Sequence, residues 1–312
     1  MKYILLILLF ISTSLAQGFN ILDLKTSSHE SSLIYKTVPS SKKAVLYIHG
    51  FNDYFFNEEL AQKFLEKGYS FFAIELHNYG KKLNVNSNPY FFKDIHEFDE
   101  ELTLAISHIK NDFGITDITL YGYSQGALVA TLYANGHKNI NRLIVDSAFF
   151  DFEVPLFIKK FILPFVAFVG NHFPSIKINL TSPNTFGQSL HKDFYGEWDF
   201  DISLKQIQTN APIYLGWIHA IYQAQQTLHK KLNLNIPVLS LYSNISSKNL
   251  YFTSDIVLDV KTIEYYSNFL NDNPNLTTHK VIQNSIHGVT LSQEPARTKA
   301  YIAIFEWLKK TN

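Results

Sequence analysis

The stretch from Ile118 to Gly136 constrains this chain more than any other. Ile118-Thr119-Leu120 is a short apolar run, Gly122-Tyr123-Ser124-Gln125-Gly126 follows it, and Ala, Leu and Val then dominate up to Gly136. That order reads as a strand, a sharp turn and a helix. Side chains at either flanking position would crowd so tight a reversal, which accounts for glycine at 122 and 126. The turn aims the Ser124 hydroxyl outward at a helix N-terminus, where backbone N–H groups and the helix dipole favour developing negative charge. A hydroxyl held there is equipped to attack a carbonyl carbon. The same five-residue pattern also arises by chance as a glycine-flexed loop before an ordinary helix, so the reading depends on partners elsewhere in the chain.

The surrounding pattern supplies a frame for such a site. Lys42 to Ile48 is a continuous apolar run rather than an alternating one, which suits a strand buried on both faces of a parallel sheet. About two dozen polar residues lead into it. Helical spacing over Asn57 to Lys67 and Ile95 to Ile109 alternates with strands at Tyr69 to Ile74, Asp117 to Tyr121 and Arg142 to Val145. The rhythm resumes at the strand Pro237 to Tyr242, the helix Thr262 to Leu270, the strand His279 to Gln283 and the helix Glu294 to Lys310. This alternation predicts an α/β fold with a mostly parallel central sheet flanked by helices. Between residues 149 and 235 the alternation fails. Pro155, Pro164, Pro174, Pro183 and Pro212 break up aromatic, amphipathic pieces there, which predicts an inserted helical cap. The expected organisation is a leader at 1–16, a first core part at 17–148, the cap at 149–235 and a second core part at 236–312.

Composition narrows the partners. At 312 residues and 46% hydrophobic content the chain can build a large core. Lys plus Arg and Asp plus Glu both number 27, so the balance selects neither nucleic acid nor a polyanionic surface. The chain has no cysteine, which rules out disulfides, thiol catalysis and cysteine-ligated metal. At the N-terminus, Lys2, the apolar run Ile4 to Ile11 and the small residues Ser14 and Ala16 read as a secretory signal peptide cleaved after Ala16. The expected location is therefore secreted or periplasmic.

Active sites of open α/β sheets gather at the carboxyl ends of the strands, and three strand exits offer partners for Ser124. The last strand leaves through Asn284-Ser285-Ile286-His287-Gly288, where His287 is placed to accept the serine proton as general base. His49-Gly50-Phe51 leaves the first strong strand. There the Phe51 N–H, with the Gln125 N–H, makes a two-donor oxyanion hole, and His49 braces the loop. The acid is less defined. The exit after Tyr242 carries no carboxylate, which leaves Asp255 first, with Asp259 and Asp146 as alternatives.

With the order Ser124, Asp255, His287, the His49-Gly50-Phe51-Asn52-Asp53 loop and the cap in hand, the chain resembles the α/β-hydrolase superfamily. Within it, the chain looks most like the cap-bearing group of lysophospholipases, monoacylglycerol lipases and serine aminopeptidases. Glu75-Leu76-His77-Asn78-Tyr79-Gly80-Lys81 resembles a degraded form of that family's Asp-x-Arg-Gly-x-Gly-x-Ser loop, without its arginine. The resemblance implies an α/β-hydrolase fold and a carboxylic ester hydrolase that uses no metal or organic cofactor. It points to a small-molecule or lipid ester as substrate.

In the cap, Trp198 and Trp217 are the expected substrate-binding residues, because a cap over such a serine lines the acyl pocket, and packing of the cap onto the sheet is the equal alternative for both rings. Val154 to Gly170 is apolar and aromatic. It reads either as cap packing or as a lid making transient contact with lipid surfaces. Two other functions remain open at this level. A serine aminopeptidase would need a cap carboxylate such as Glu197, Asp199 or Asp201 to hold a free amine. A non-catalytic binding protein on the same fold is suggested by the missing acid after Tyr242.

Overall fold

The computed structural model describes residues 18–83, 88–249 and 251–311, so the expected leader at 1–16 lies outside the described residues. The chain opens with an antiparallel hairpin of β1 (Asn20–Lys25) and β2 (Glu30–Lys36). Sequence reading had only a polar lead-in here. On β1, Leu24 alone is fully buried, Leu22 is half-buried and Ile21 points to solvent. So little inward apolar surface gives almost no periodic signal.

The predicted alternation then unfolds in order. β3 (Lys43–Ile48), α1 (Glu58–Glu66), β4 (Ser70–Glu75), α2 (Phe98–Asn111), β5 (Asp117–Tyr123), α3 (Gln125–Gly136) and β6 (Arg142–Asp146) form the first part. An excursion follows, with a π-helical turn at Ile158–Ile162, α4 (Leu163–His172), β7 (Lys177–Ile178), α5 (Thr185–Leu190), β8 (Ile213–Tyr214) and α6 (Leu215–His229). β9 (Val238–Ser243), α7 (Val260–Ser267), β10 (Thr277–Ile282) and α8 (Ala296–Thr311) complete the fold.

The eight-stranded sheet has the order β1-β2-β4-β3-β5-β6-β9-β10. The pairs from β4 through β3, β5, β6 and β9 to β10 are all parallel, while β2 runs antiparallel to both of its neighbours, β1 and β4. β3 lies between β4 and β5, so the chain winds outward from it in both directions. The carboxyl ends of β3 and β5 therefore border the crevice where such sheets place ligands.

β3 shows why the sheet strands are apolar throughout. Ala44, Leu46 and Ile48 face a core shared with α2, α3 and α6, while Val45 and Tyr47 face one shared with α1 and α8. Each face is covered by helices, so neither register of the alternation can be polar. α6 falls within the 149–235 excursion, yet Ala220, Ile221, Ala224 and Leu228 pack into the same core as α2 and α3. The excursion is thus tied back to the sheet by its last helix. α4 crosses α6 closely at Gly170, where a Cβ would lie 2.1 Å from the Leu215 carbonyl oxygen.

Candidate active site

The turn between β5 and α3 carries Ser124 in a conformation that non-glycine residues rarely adopt, φ 53° and ψ −116°. Its backbone is held on both sides. Ser124 N–H donates to the Asp146 carbonyl at 2.9 Å, and its own carbonyl accepts from Ala127 at 3.0 Å and Phe149 at 3.2 Å. The flanking glycines have separate reasons. A Cβ at Gly122 would meet the Gly126 carbonyl oxygen at 2.4 Å and Ala127 Cα at 2.5 Å, so it would block the fold-back of α3. One at Gly126 would lie 2.3 Å from the carbonyl oxygens of both Ile48 and His49. Gly126 therefore lets the N-terminus of α3 press against the end of β3.

Ser124 Oγ lies 2.9 Å from His287 Nε2, and His287 Nδ1 lies 2.9 Å from Asp255 Oδ2. His287 and Asp255 are buried, while Ser124 is partly open to the cleft. The other oxygen of Asp255 accepts the backbone N–H groups of Val257 at 2.8 Å and Leu258 at 2.7 Å, which fixes the carboxylate. A base oriented by a carboxylate and bonded to a hydroxyl is the arrangement that activates a serine.

The structure separates the three aspartates. The chain leaves β9, makes an excursion, and returns so that Asp255 bridges Ser246 beside the strand exit. Asp255, placed first of the three from the sequence, thus stands at the end of β9, whose immediate exit carries no carboxylate of its own. Asp259 caps α7, accepting the Lys261 N–H at 3.0 Å. Asp146 is buried and holds the His287 loop instead of the ring. It accepts from Val289 N–H at 2.9 Å and Tyr121 OH at 2.8 Å. Burial raises the Asp146 pKa, while these bonds and that from Ser147 oppose the rise. Ser147, which the sequence did not single out, receives the Gly288 N–H on its hydroxyl at 2.8 Å.

His49 braces the loop after β3, as its sequence position suggests. Its Nε2 accepts the Leu76 N–H at 3.2 Å, which assigns the proton to Nδ1, 2.8 Å from the Gly50 carbonyl. Burial lowers its pKa and favours this neutral form. With the Gly50 carbonyl held by His49, the trans peptide turns the Phe51 N–H to the opposite side. The Gln125 side chain is fully engaged, donating to Tyr79 OH at 3.0 Å and accepting from Trp217 Nε1 at 2.7 Å. Its backbone N–H, at the first position of α3, has no intrahelical acceptor.

A cleft of about 490 Å³ opens over Ser124 and His287, lined by Phe51, Leu180, Phe186, Ile213 and Val257 among others, with Lys205 and Lys248 as its charged side chains. Neither Trp198 nor Trp217 lines it, which corrects the expected substrate contacts. Trp198 donates to the Leu291 carbonyl at 2.8 Å and stacks under Arg297, so it docks the cap on the core. Trp217 stands behind the cleft, against Phe51 and the Gln125 side chain. The two rings were conspicuous in sequence because of their size, which equally suits them to packing. The cap is fastened to the loop after β3 by residues the sequence reading passed over. Asn52 exchanges two hydrogen bonds with the Gln206 backbone at 2.7 and 2.8 Å, and Lys205 Nζ meets Asp53 Oδ1 at 2.8 Å with both side chains buried.

Gly126→Ala should lower the thermal midpoint sharply, since overpacking against rigid backbone costs about 1–3 kcal/mol or more. Gly136→Ala, with nothing within 4 Å of the added Cβ, should leave it unchanged or slightly raised. Thermal denaturation of the two variants beside the parent checks both.

Comparison with known proteins agrees with this geometry. The profile of the family described as serine aminopeptidase, S33, matches residues 39–244. No curated protein matches the sequence. Among solved structures, the fold is similar to a soluble variant of monoglyceride lipase from Saccharomyces cerevisiae, in complex with a substrate analog, with TM-score 0.72, 15% identity and 96% of each chain covered. It is also similar to the Paleococcus ferrophilus monoacylglycerol lipase, with TM-score 0.66, 15% identity, and 90% of this chain and 98% of that one covered. A thermostable carboxyl esterase from Bacillus coagulans in complex with glycerol gives TM-score 0.66 at 14% identity, covering 94% and 99%. At such identities these likenesses speak for the fold, and the profile speaks for the family: the chain belongs to the serine aminopeptidase S33 family of α/β-hydrolases.

Proposed function

We propose that the protein is a secreted serine hydrolase that cleaves carboxylic esters of lipid type through an acyl-enzyme on Ser124. The observation that carries this reading is the continuous chain Ser124 Oγ, His287 Nε2, His287 Nδ1, Asp255 Oδ2, with 2.9 Å at each contact, at the N-terminus of α3. In the proposed cycle Ser124 Oγ attacks the ester carbonyl carbon while His287 takes its proton. The oxyanion forms beside the N–H groups of Phe51 and Gln125. His287 then protonates the departing alcohol, and a water activated by the same ring releases the acid and restores Ser124.

The cleft favours an ester over a peptide with a free amine. Holding an ammonium requires a carboxylate, and the charged side chains among the lining residues are Lys205 and Lys248. The cap carboxylates considered for that task are engaged elsewhere. Glu197 pairs with Arg297 at 3.0 Å, Asp199 with Lys192 at 2.6 Å, and Asp201 accepts the Ser203 N–H at 2.8 Å. Aminoacyl-anilide turnover exceeding ester turnover would reverse this preference.

A lipid source for the ester is supported by the outer face of the cap. Phe157, Phe161, Phe165 and Phe168 recur at helical spacing and are all exposed, with Lys160 beside them. Among the described residues no helix is long and apolar enough to cross a membrane. Such a stripe suits shallow contact with a lipid surface. Secretion rests on the sequence of residues 1–16 alone.

Ser124→Ala should abolish both fluorophosphonate labelling and p-nitrophenyl ester turnover, and labelling that persists would sink the assignment. Asp255→Asn should lower turnover by on the order of 10⁴-fold. Asp259→Ala should cost about 1 kcal/mol of stability and keep turnover, as expected for loss of a helix cap. Phe161→Ser combined with Phe165→Ser should weaken binding to phosphatidylcholine vesicles without changing turnover of a soluble short-chain ester, and undiminished vesicle binding would remove the lipid-contact reading. N-terminal sequencing of exported protein should begin at Gln17; an intact Met1 in the exported fraction would contradict cleavage.

A further inference from the structure

Away from the serine cleft, three side chains from separate parts of the chain converge on one point. His29 sits in the turn joining β1 to β2, His77 leaves the end of β4, and Glu97 lies in the short turn that starts α2. Glu97 Oε2 is 3.6 Å from His29 Nε2 and 3.5 Å from His77 Nε2, and the three potential ligand atoms all lie within 4.8 Å of one another.

Further features distinguish this cluster from a chance meeting of polar groups. The His77 side chain is 1% exposed, and its Nε2 has the Glu97 carboxylate at 3.5 Å without a hydrogen bond of good geometry. A buried nitrogen left so is costly unless another partner takes it. The opposite nitrogen, Nδ1, is bonded to the Glu101 carboxylate, which also accepts the His77 backbone N–H at 3.1 Å. A carboxylate on the far nitrogen is the usual way of orienting a metal-bound histidine and raising its basicity. Glu97 is prepared in the same sense. Its Oε1 accepts the N–H groups of Lys93 and Asp94 at 3.1 Å each, so Oε2 is left to face the two rings.

We propose that His29, His77 and Glu97 form a binding site for a divalent late transition-metal ion, zinc foremost, with Glu101 orienting His77. Two imidazoles and one carboxylate are a donor set that such ions prefer over calcium or magnesium. With metal–ligand bonds of about 2.0–2.1 Å, tetrahedral ligand atoms stand roughly 3.3 Å apart, close to the separations from Glu97. The fourth position opens toward solvent, where His29 lines a cleft of about 330 Å³ with room for water. The two rings now stack, with centroids 3.9 Å apart and planes at 8°. Coordination through both Nε2 atoms requires a tilt of His29, whose side chain is 26% exposed.

The site stands apart from the ester chemistry and acts as a clamp. It would fasten the β1–β2 hairpin and the start of α2 to the segment after β4. In that segment Leu76 holds His49 and Tyr79 holds Gln125. Metal binding to a site assembled only on folding adds directly to folded-state stability.

The test uses the untagged full chain stripped with a chelator. It is titrated with cobalt(II), read by visible absorption, and with zinc, read by calorimetry and thermal denaturation. One equivalent should bind, the cobalt spectrum should be of tetrahedral type, and zinc should raise the melting temperature. His29→Ala and Glu97→Gln, both at partly exposed positions, should each weaken binding at least about ten-fold. Glu97→Gln keeps a carbonyl acceptor for Lys93 and Asp94, so its fold is preserved. His96→Ala and His108→Ala should leave the affinity unchanged. Absence of saturable uptake, as for a buried imidazolium held between Glu97 and Glu101, overturns the proposal, and so does unaltered affinity in either ligand variant.

Discussion

The contact between Gly126 and the last two carbonyls of β3 is the constraint on which the rest of the site depends. A hydrogen at that position, where any other residue has a carbon, lets α3 begin directly against Ile48 and His49. The two segments so joined are the ones that offer the Phe51 and Gln125 N–H groups. Their mutual placement follows from backbone packing and needs no side chain at the point of contact. Ser124 lies at the same junction, and its strained φ is sustained by hydrogen bonds to Asp146, Ala127 and Phe149.

The carboxyl end of β6 provides the second fixed point. Asp146 and Ser147 accept the amides of Val289 and Gly288, so the loop carrying His287 is held by the strand next to the one that carries Ser124. His287 and Ser124 are therefore referenced to adjacent strands of one rigid sheet. The oxygens of Asp146 are engaged with Tyr121, Ser147 and Val289, and its role is to position a loop.

Legibility in the sequence tracked how local each signal was. The Gly122 to Gly126 turn, the continuous apolar strands and the loop histidine after β10 are encoded within a few residues, and the structure brings Ser124 and His287 together as expected. Asp255 is brought to His287 by a bridge to Ser246, a pairing across a loop that no local pattern reveals. The β1–β2 hairpin escapes notice because β1 fully buries Leu24 alone and two of the buried positions of β2 are Ser31 and Ser32, which carry no apolar signal. For Trp198 and Trp217 the sequence leaves substrate contact and packing equally open, because ring size marks burial without telling which side of a wall the ring occupies. Ser147, Asn52 and Lys205 act through partners more than 140 residues away, where sequence spacing carries no information.

The fastening of Lys205 and Gln206 to Asp53 and Asn52 bears on how a molecule reaches the serine. Those cap residues are joined to the same loop that offers the Phe51 N–H, through a buried ion pair and a two-way backbone bond. A cap that lifted as one body would drag that loop out of register with α3. The 205–206 segment is thus the fixed jamb of the doorway, and its opposite post is made by Leu180, Phe186 and Ile213, which line the cleft without being tied to that loop by these bonds.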